Sequence, residues 1–142
     1  MHEVHELLSL IWAFDHALHG MSKKMARTLS VTGLQRFVIR IIGRFPGIPA
    51  GKVAEILHIH PSTISGVLQR LEKHGFVQRR RDTRDSRRSF LGLTDKGRRL
   101  DVKREGTIEA CVQRVLADVS KQELDMVKSL MEKLVRGLED EL

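Results

Sequence analysis

This chain of 142 residues has one cysteine, one tryptophan and no tyrosine. The lone Cys111 excludes an intrachain disulfide framework and any cysteine-cluster zinc site, and it suits a reducing compartment. Long apolar runs are also missing: stretches such as Phe37-Val38-Ile39 are broken by charge after a few residues, far short of the ~20 that span a bilayer. The opening MHEVHELLSLIWAFDH puts acids and histidines where a secretory signal needs basic residues, and it lacks a small-residue cleavage site. A soluble, cytoplasmic protein without a membrane partner is therefore expected. Linkers rich in Pro, Gly or Ser, low-complexity tracts and repeats are absent, so one continuous domain over 1–142 is the default. At this length a folded chain buries roughly 70% of its extended surface, enough for a core without disulfides or metal. No Ser/His/Asp ordering, paired-carboxylate cluster, glycine-rich phosphate loop or metal triad stands in the sequence. Neither an enzyme nor a cofactor is expected.

What the chain does have is positive charge, unevenly placed. The 25 Lys/Arg and 18 Asp/Glu leave a net +7. Residues 20–104 hold 20 basic against six acidic side chains, a net +14, whereas residues 1–19 carry −3 and residues 105–142 carry −4. A basic centre between acidic ends reads as a central part that meets a polyanion and termini that meet something else.

Apolar periodicity supplies the elements. Val4, Leu7, Leu8, Ile11, Trp12 and Leu18 recur at helical spacing, which predicts an amphipathic helix to about Leu29. Thr32 and Gln35 form a capping box before a helix with Leu34, Phe37, Val38, Ile41, Ile42 and Phe45 on one face; Gly43 and Pro46-Gly47 are read as its end. A short helix follows from about Ala50 to Leu57. After His58-Ile59-His60, Pro61 opens another with Ile64, Val67, Leu68 and Leu71 as its stripe, and Gly75 ends it. Residues 76–79 and 89–93 read as two strands joined by the loop 80–88. Thr94 caps a long helix expected to reach about Asp118, and Ser120 with Glu123 forms a second capping box. The last helix carries Leu124, Val127, Met131, Leu134 and Leu138 as a short heptad seam suited to packing on partner helices. The expected fold is thus mainly α with a small β-hairpin wing, with six helices.

Two short helices joined by a tight turn and followed by a basic hairpin make a winged helix-turn-helix. A helix fits the DNA major groove with its N-terminal residues toward base edges and its free amides toward phosphate. Ser62, Thr63 and Ser65 are small and hydrogen-bonding at that end, and Gln69 and Arg70 lie one to two turns on. Gln pairs with adenine, and Arg with guanine or phosphate. In the loop, Arg84, Arg87 and Arg88 are placed for a narrow minor groove, whose potential favours Arg, and Asp85 stands where it can hold Arg87 extended. Gly66 is unusual inside a helix: it admits close approach of DNA or of a neighbouring helix, or it is simply tolerated.

With those residues in hand, the chain resembles the MarR family of bacterial transcriptional regulators over nearly its full length. The similar segments are Pro61-Ser62-Thr63-Ile64-Ser65-Gly66-Val67-Leu68-Gln69-Arg70-Leu71-Glu72, Gly75-Phe76-Val77, Asp85-Ser86-Arg87 and Leu93-Thr94-Asp95-Lys96-Gly97. The resemblance implies an intertwined homodimer on a pseudo-palindromic operator, regulated by a small ligand, an oxidant or a metal. It gives residues 30–94 as the DNA-binding lobe and residues 1–29 and 95–142 as the dimerising region. A dimer also buries the seam and the apolar first helix, including Leu7 and Ile11, and spaces two recognition helices about one DNA turn apart.

Peroxide-sensing relatives use a cysteine in the N-terminal helix, and this chain has none there. Cys111, beside Val112 and Val115, is expected to be a buried structural thiol. His2/His5 and His16/His19 have the spacing of metal-ligand pairs but no matching ligands in the later helices. By elimination a small-molecule effector remains, with Trp12, His16, Phe37 and Ile41 as candidate lining. The double-stranded-DNA regulator, most simply a repressor, therefore stands beside two alternatives: a sequence-tolerant architectural protein and a metal-sensing member of the same family. A specificity ratio of about 10³ or more marks the regulator.

Overall fold

The structure is a computed structural model that describes residues 2–85 and 87–142. In chain order the elements are helices α1 (His2–Leu29), α2 (Gly33–Arg44), α3 (Ala50–Leu57) and α4 (Pro61–Lys73), strands β1 (Val77–Arg81) and β2 (Ser89–Leu93), then helices α5 (Asp95–Val102), α6 (Ile108–Leu116) and α7 (Lys121–Glu139). The chain divides into two compact units, one ending at Ile108 and the other spanning Glu109–Leu142.

The first unit is built on α2, whose apolar stripe buries Val38, Ile39, Ile41 and Ile42. The expected capping box starts it: Thr32 Oγ1 accepts from the Gln35 N–H at 3.2 Å, and Gln35 Oε1 accepts from the Thr32 N–H at 2.9 Å. Ile64, Leu68 and Leu71 of α4 and Leu91 and Leu93 of β2 close the same core. The strands pair antiparallel with Val77 opposite Leu93 and Arg81 opposite Ser89, so one face of the hairpin is apolar at its base.

A buried arginine fastens α5 to this core. Arg36, 2% exposed, donates to the carbonyls of Asp101 (3.1 Å) and Lys103 (2.8 Å), groups left without intrahelical donors at the helix end. Arg40 pairs with the Asp101 carboxylate at 2.9 Å. Gly43 makes room for this pairing, since a Cβ there would strike the Asp101 carboxylate and approach Leu93. Gly43 therefore lies within α2 as a packing residue, and the helix ends just before Phe45 and Pro46-Gly47.

Three expectations need correction. The helix after Thr94 does not run to Asp118. It breaks at residues 103–107, where Gly106 takes φ +77° and the buried Thr107 hydroxyl donates to the Arg104 carbonyl at 2.6 Å, so the described residues form seven helices rather than six. The first strand extends through Arg80 and Arg81, which pair with Phe90 and Ser89, and the connecting loop is correspondingly shorter. Cys111 is exposed, because α6 has no buried residue and its Val112 and Val115 face is uncovered as well.

In the second unit, Ser120 Oγ accepts from the Glu123 N–H at 3.1 Å and Glu123 Oε2 accepts from the Ser120 N–H at 2.9 Å. The backbone bond and then the side-chain bond to Ser120 hold the Glu123 carboxyl below its ordinary value. Among the described residues α7 buries none, and α1 buries only Met25.

Candidate nucleic-acid interface

The α3–α4 connection is made by two histidines in different roles. His58 takes the left-handed φ +53° and directs its N–H to the Ala54 and Glu55 carbonyls, which turns the chain sharply after α3. His60 is the N-cap of α4, its Nδ1 accepting from the Ser62 N–H at 3.1 Å, and Pro61 occupies the first helical turn, where no N–H is needed.

The spacing of α4 then sorts its side chains. Ile64, Leu68 and Leu71 are buried, so Ser62, Thr63, Ser65, Gln69 and Arg70 all lie exposed on the opposite side. The five residues expected to face DNA on this helix share one outward face. Gly66 stands among them, and among the described residues no atom beyond its own helix backbone and chain neighbours lies within 4 Å of where a Cβ would be, so no described neighbouring helix requires it.

The wing is held to the end of α4 by a clasp. Glu72 of α4 accepts from Arg79 Nε of β1 at 2.8 Å. Thr94 donates through its hydroxyl to the Gly75 carbonyl and through its N–H to the Phe76 carbonyl (3.1 Å), while its Oγ1 accepts from the Gly97 N–H at 3.1 Å. Lys96 Nζ donates to the His74 carbonyl at 2.7 Å and lies 4.4 Å from the centre of the Phe76 ring. Gly97 packs so closely on Phe76 that a Cβ would collide with its carbonyl oxygen. The Leu93-Thr94-Asp95-Lys96-Gly97 stretch therefore ties the hairpin base to the end of α4.

At the wing tip, Asp82 Oδ1 accepts from the Arg84 N–H at 2.9 Å. Asp85 Oδ1 accepts from both the Arg87 N–H (3.0 Å) and Arg87 Nε (3.1 Å). The Arg87 side-chain bond, followed by its backbone bond, holds the Asp85 carboxyl below the usual carboxylate range. The Arg87 side chain is 90% exposed apart from this pairing, and Arg84 and Arg88 are exposed as well. Ser86 lies outside the described residues.

His60, Glu72 and Arg79 were not singled out from the sequence. Histidine is not among the usual capping residues, and the Glu72 to Arg79 tie joins two elements across a turn. Arg80 and Arg81 add two more exposed guanidinium groups along β1.

The remaining candidates differ in exposure. Ile41 belongs to the core, whereas Trp12 is 66% and Phe37 51% exposed, and His16 is exposed. A shallow apolar hollow of about 300 Å³ lies instead among Phe45, Pro46, Gly47, Ile48, Lys52 and Ile56, and none of those four residues lines it. On the helices expected to dimerise, Leu7, Val127, Met131 and Leu138 are exposed, and Ile11, Leu124 and Leu134 are half-buried. No helix among the described residues is long and apolar enough to cross a membrane.

Comparison with known proteins matches residues 31–89 to the MarR family model. The HTH-type transcriptional repressor Rv2887 of Mycobacterium tuberculosis is 30% identical over 114 residues, covering 78% of this chain and 82% of the repressor. The PcaV transcriptional regulator of Streptomyces coelicolor, solved in complex with its natural ligand, is 27% identical with a TM-score of 0.72 over 89% of each chain. The S. aureus MepR–DNA complex shares the fold with a TM-score of 0.75 at 21% identity, over 91% of this chain and 96% of that one.

Proposed function

The chain belongs to the MarR family, and on that footing we propose that it is a sequence-specific double-stranded-DNA-binding transcriptional regulator acting as a homodimeric repressor. The observation that carries this reading is the coupling of two DNA-directed surfaces. The outward face of α4 presents hydroxyls, Gln69 and Arg70, and the Thr94–Gly97 clasp with the Glu72–Arg79 pair fixes the arginine-tipped wing relative to it. In this reading α4 enters the major groove while Arg87, braced by Asp85, reaches the adjacent minor groove. The basic middle of the chain supplies the phosphate contacts that dominate affinity.

The apolar faces of α1 and α7 are the proposed dimerisation surfaces. A twofold assembly gives two recognition helices and therefore a pseudo-palindromic operator. Release by a small-molecule effector is part of the proposal, with PcaV as the liganded relative.

Gel-shift titration on the DNA upstream of the protein's own gene, with scrambled competitor and a salt series, tests the reading. Preference for a defined site by a factor of about 10³ or more is expected. Equal binding to scrambled duplex refutes it and identifies a sequence-tolerant architectural protein.

A further inference from the structure

The recognition helix begins with a pair of side chains whose hydrogen positions are determined by each other. At His60 Nδ1 two groups of Ser62 converge, the backbone N–H at 3.1 Å and the hydroxyl oxygen at 2.7 Å. Because Nδ1 accepts the backbone N–H, it carries a lone pair and the ring proton sits on Nε2. A serine lone pair facing that nitrogen at the same separation is repulsive. The attractive arrangement has the Ser62 hydroxyl donating to Nδ1. A serine hydroxyl has one proton and two lone pairs. With the proton directed at His60, the exposed Ser62 has only acceptance left to offer outward.

We infer that His60 is a positioning residue that makes Ser62 an acceptor-only contact, so that Ser62 selects a base carrying an amino group in the major groove. Those bases are adenine, through its N6 group, and cytosine, through N4. The guanine N7 and O6 and the thymine O4 present only acceptors, and phosphate oxygens likewise have no proton to give. The inference rests on the proposed entry of α4 into the groove. A serine at this position without such a neighbour turns its proton either way and discriminates neither class.

The test is selection of binding sequences from a random duplex pool with the full-length protein, followed by dissociation constants for the enriched site and its single-base variants. Wild type is expected to favour adenine or cytosine at one position of each half-site by roughly three- to tenfold, the factor one net hydrogen bond supplies. Ser62→Ala and His60→Ala should each erase that preference, and the double variant should lose nothing more. His60→Ser keeps a capping oxygen for the helix but does not reach the Ser62 hydroxyl, so it too should lose the preference and stands in where His60→Ala fails to fold. His60→Asn, whose Oδ1 takes the place of Nδ1, should retain it. Four results overturn the inference: guanine or thymine at the Ser62-dependent position, additive losses in the double variant, a uniform loss across all sequences, or wild-type discrimination by His60→Ser, which shows a helix cap alone. If wild type enriches no site, the regulator reading itself fails, and the inference falls with it.

Discussion

Two glycines on helices predict opposite outcomes for the same substitution. Alanine in a helix is favoured over glycine by about 1 kcal/mol. At Gly66 the new methyl meets nothing within 4 Å among the described residues beyond its own helix backbone and chain neighbours, so the propensity term stands alone and Gly66→Ala should stabilise the fold by about 1 kcal/mol. At Gly97 the methyl would overlap the Phe76 carbonyl oxygen, lie 3.1 Å from its carbon and 3.4 Å from Leu93 Cβ. Overpacking typically costs about 1–3 kcal/mol, and here the obstacle is backbone held by Thr94, so the upper part of that range applies. The net loss for Gly97→Ala is about 2 kcal/mol after the propensity gain. With a slope of roughly 2–4 °C per kcal/mol for a chain of this size, Gly66→Ala should melt about 3 °C higher and Gly97→Ala about 4–8 °C lower. The assay is thermal unfolding by circular dichroism at one protein concentration, since the proposed dimerisation would shift Tm by mass action. A Gly97→Ala protein as stable as wild type, or a destabilised Gly66→Ala, refutes the packing argument. If Gly66→Ala gains stability but loses operator affinity, the glycine is kept for the approach of DNA.

Other consequences are open to direct measurement. Arg87→Ala should weaken operator binding by roughly 1–3 kcal/mol in a gel shift; unchanged affinity places the wing outside the groove. Leu134→Glu should yield monomer in sedimentation, and a persistent dimer makes the α7 seam internal to one chain. Because the folded Glu123 carboxyl is held below its ordinary value of 4.5, its contribution to stability is present above that pH and is lost as pH falls through the lowered folded value. Glu123→Gln retains an acceptor for the capping box, so its urea-unfolding midpoint should fall less steeply than wild type below about pH 4.5, and parallel curves refute the linkage.

Local signals are legible in the sequence where the deciding partners are neighbours along the chain. Both capping boxes, Pro61 at the start of α4 and the inward stripe Ile64, Leu68 and Leu71 follow from spacing alone. So does the Asp85 brace on Arg87, two residues away. The break at Gly106 is harder to see: a glycine followed by Thr107 is the local pattern of one helix ending and another starting, but apolar spacing continues on either side of it. Arg80 and Arg81 look like loop residues by charge and become strand residues only through pairing with Phe90 and Ser89. The burial of Arg36, the space needed at Gly43 and the Lys96 to His74 bond depend on residues far apart in sequence. For Cys111, Trp12 and Phe37, helical periodicity identifies an apolar face but not what covers it.

The clasp also sets where this protein can be cut and recombined. A hairpin exchanged with that of a relative at Leu93 would leave its supports behind, since Thr94, Lys96 and Gly97 hold it from the other side of that junction. The transplantable cassette extends through α5 to Val102, and its compatibility with a new host depends on whether that host offers counterparts to Arg36, Arg40 and Gly43. The working unit for chimeras is therefore hairpin plus helix, with the wing's aim inherited from the helix behind it.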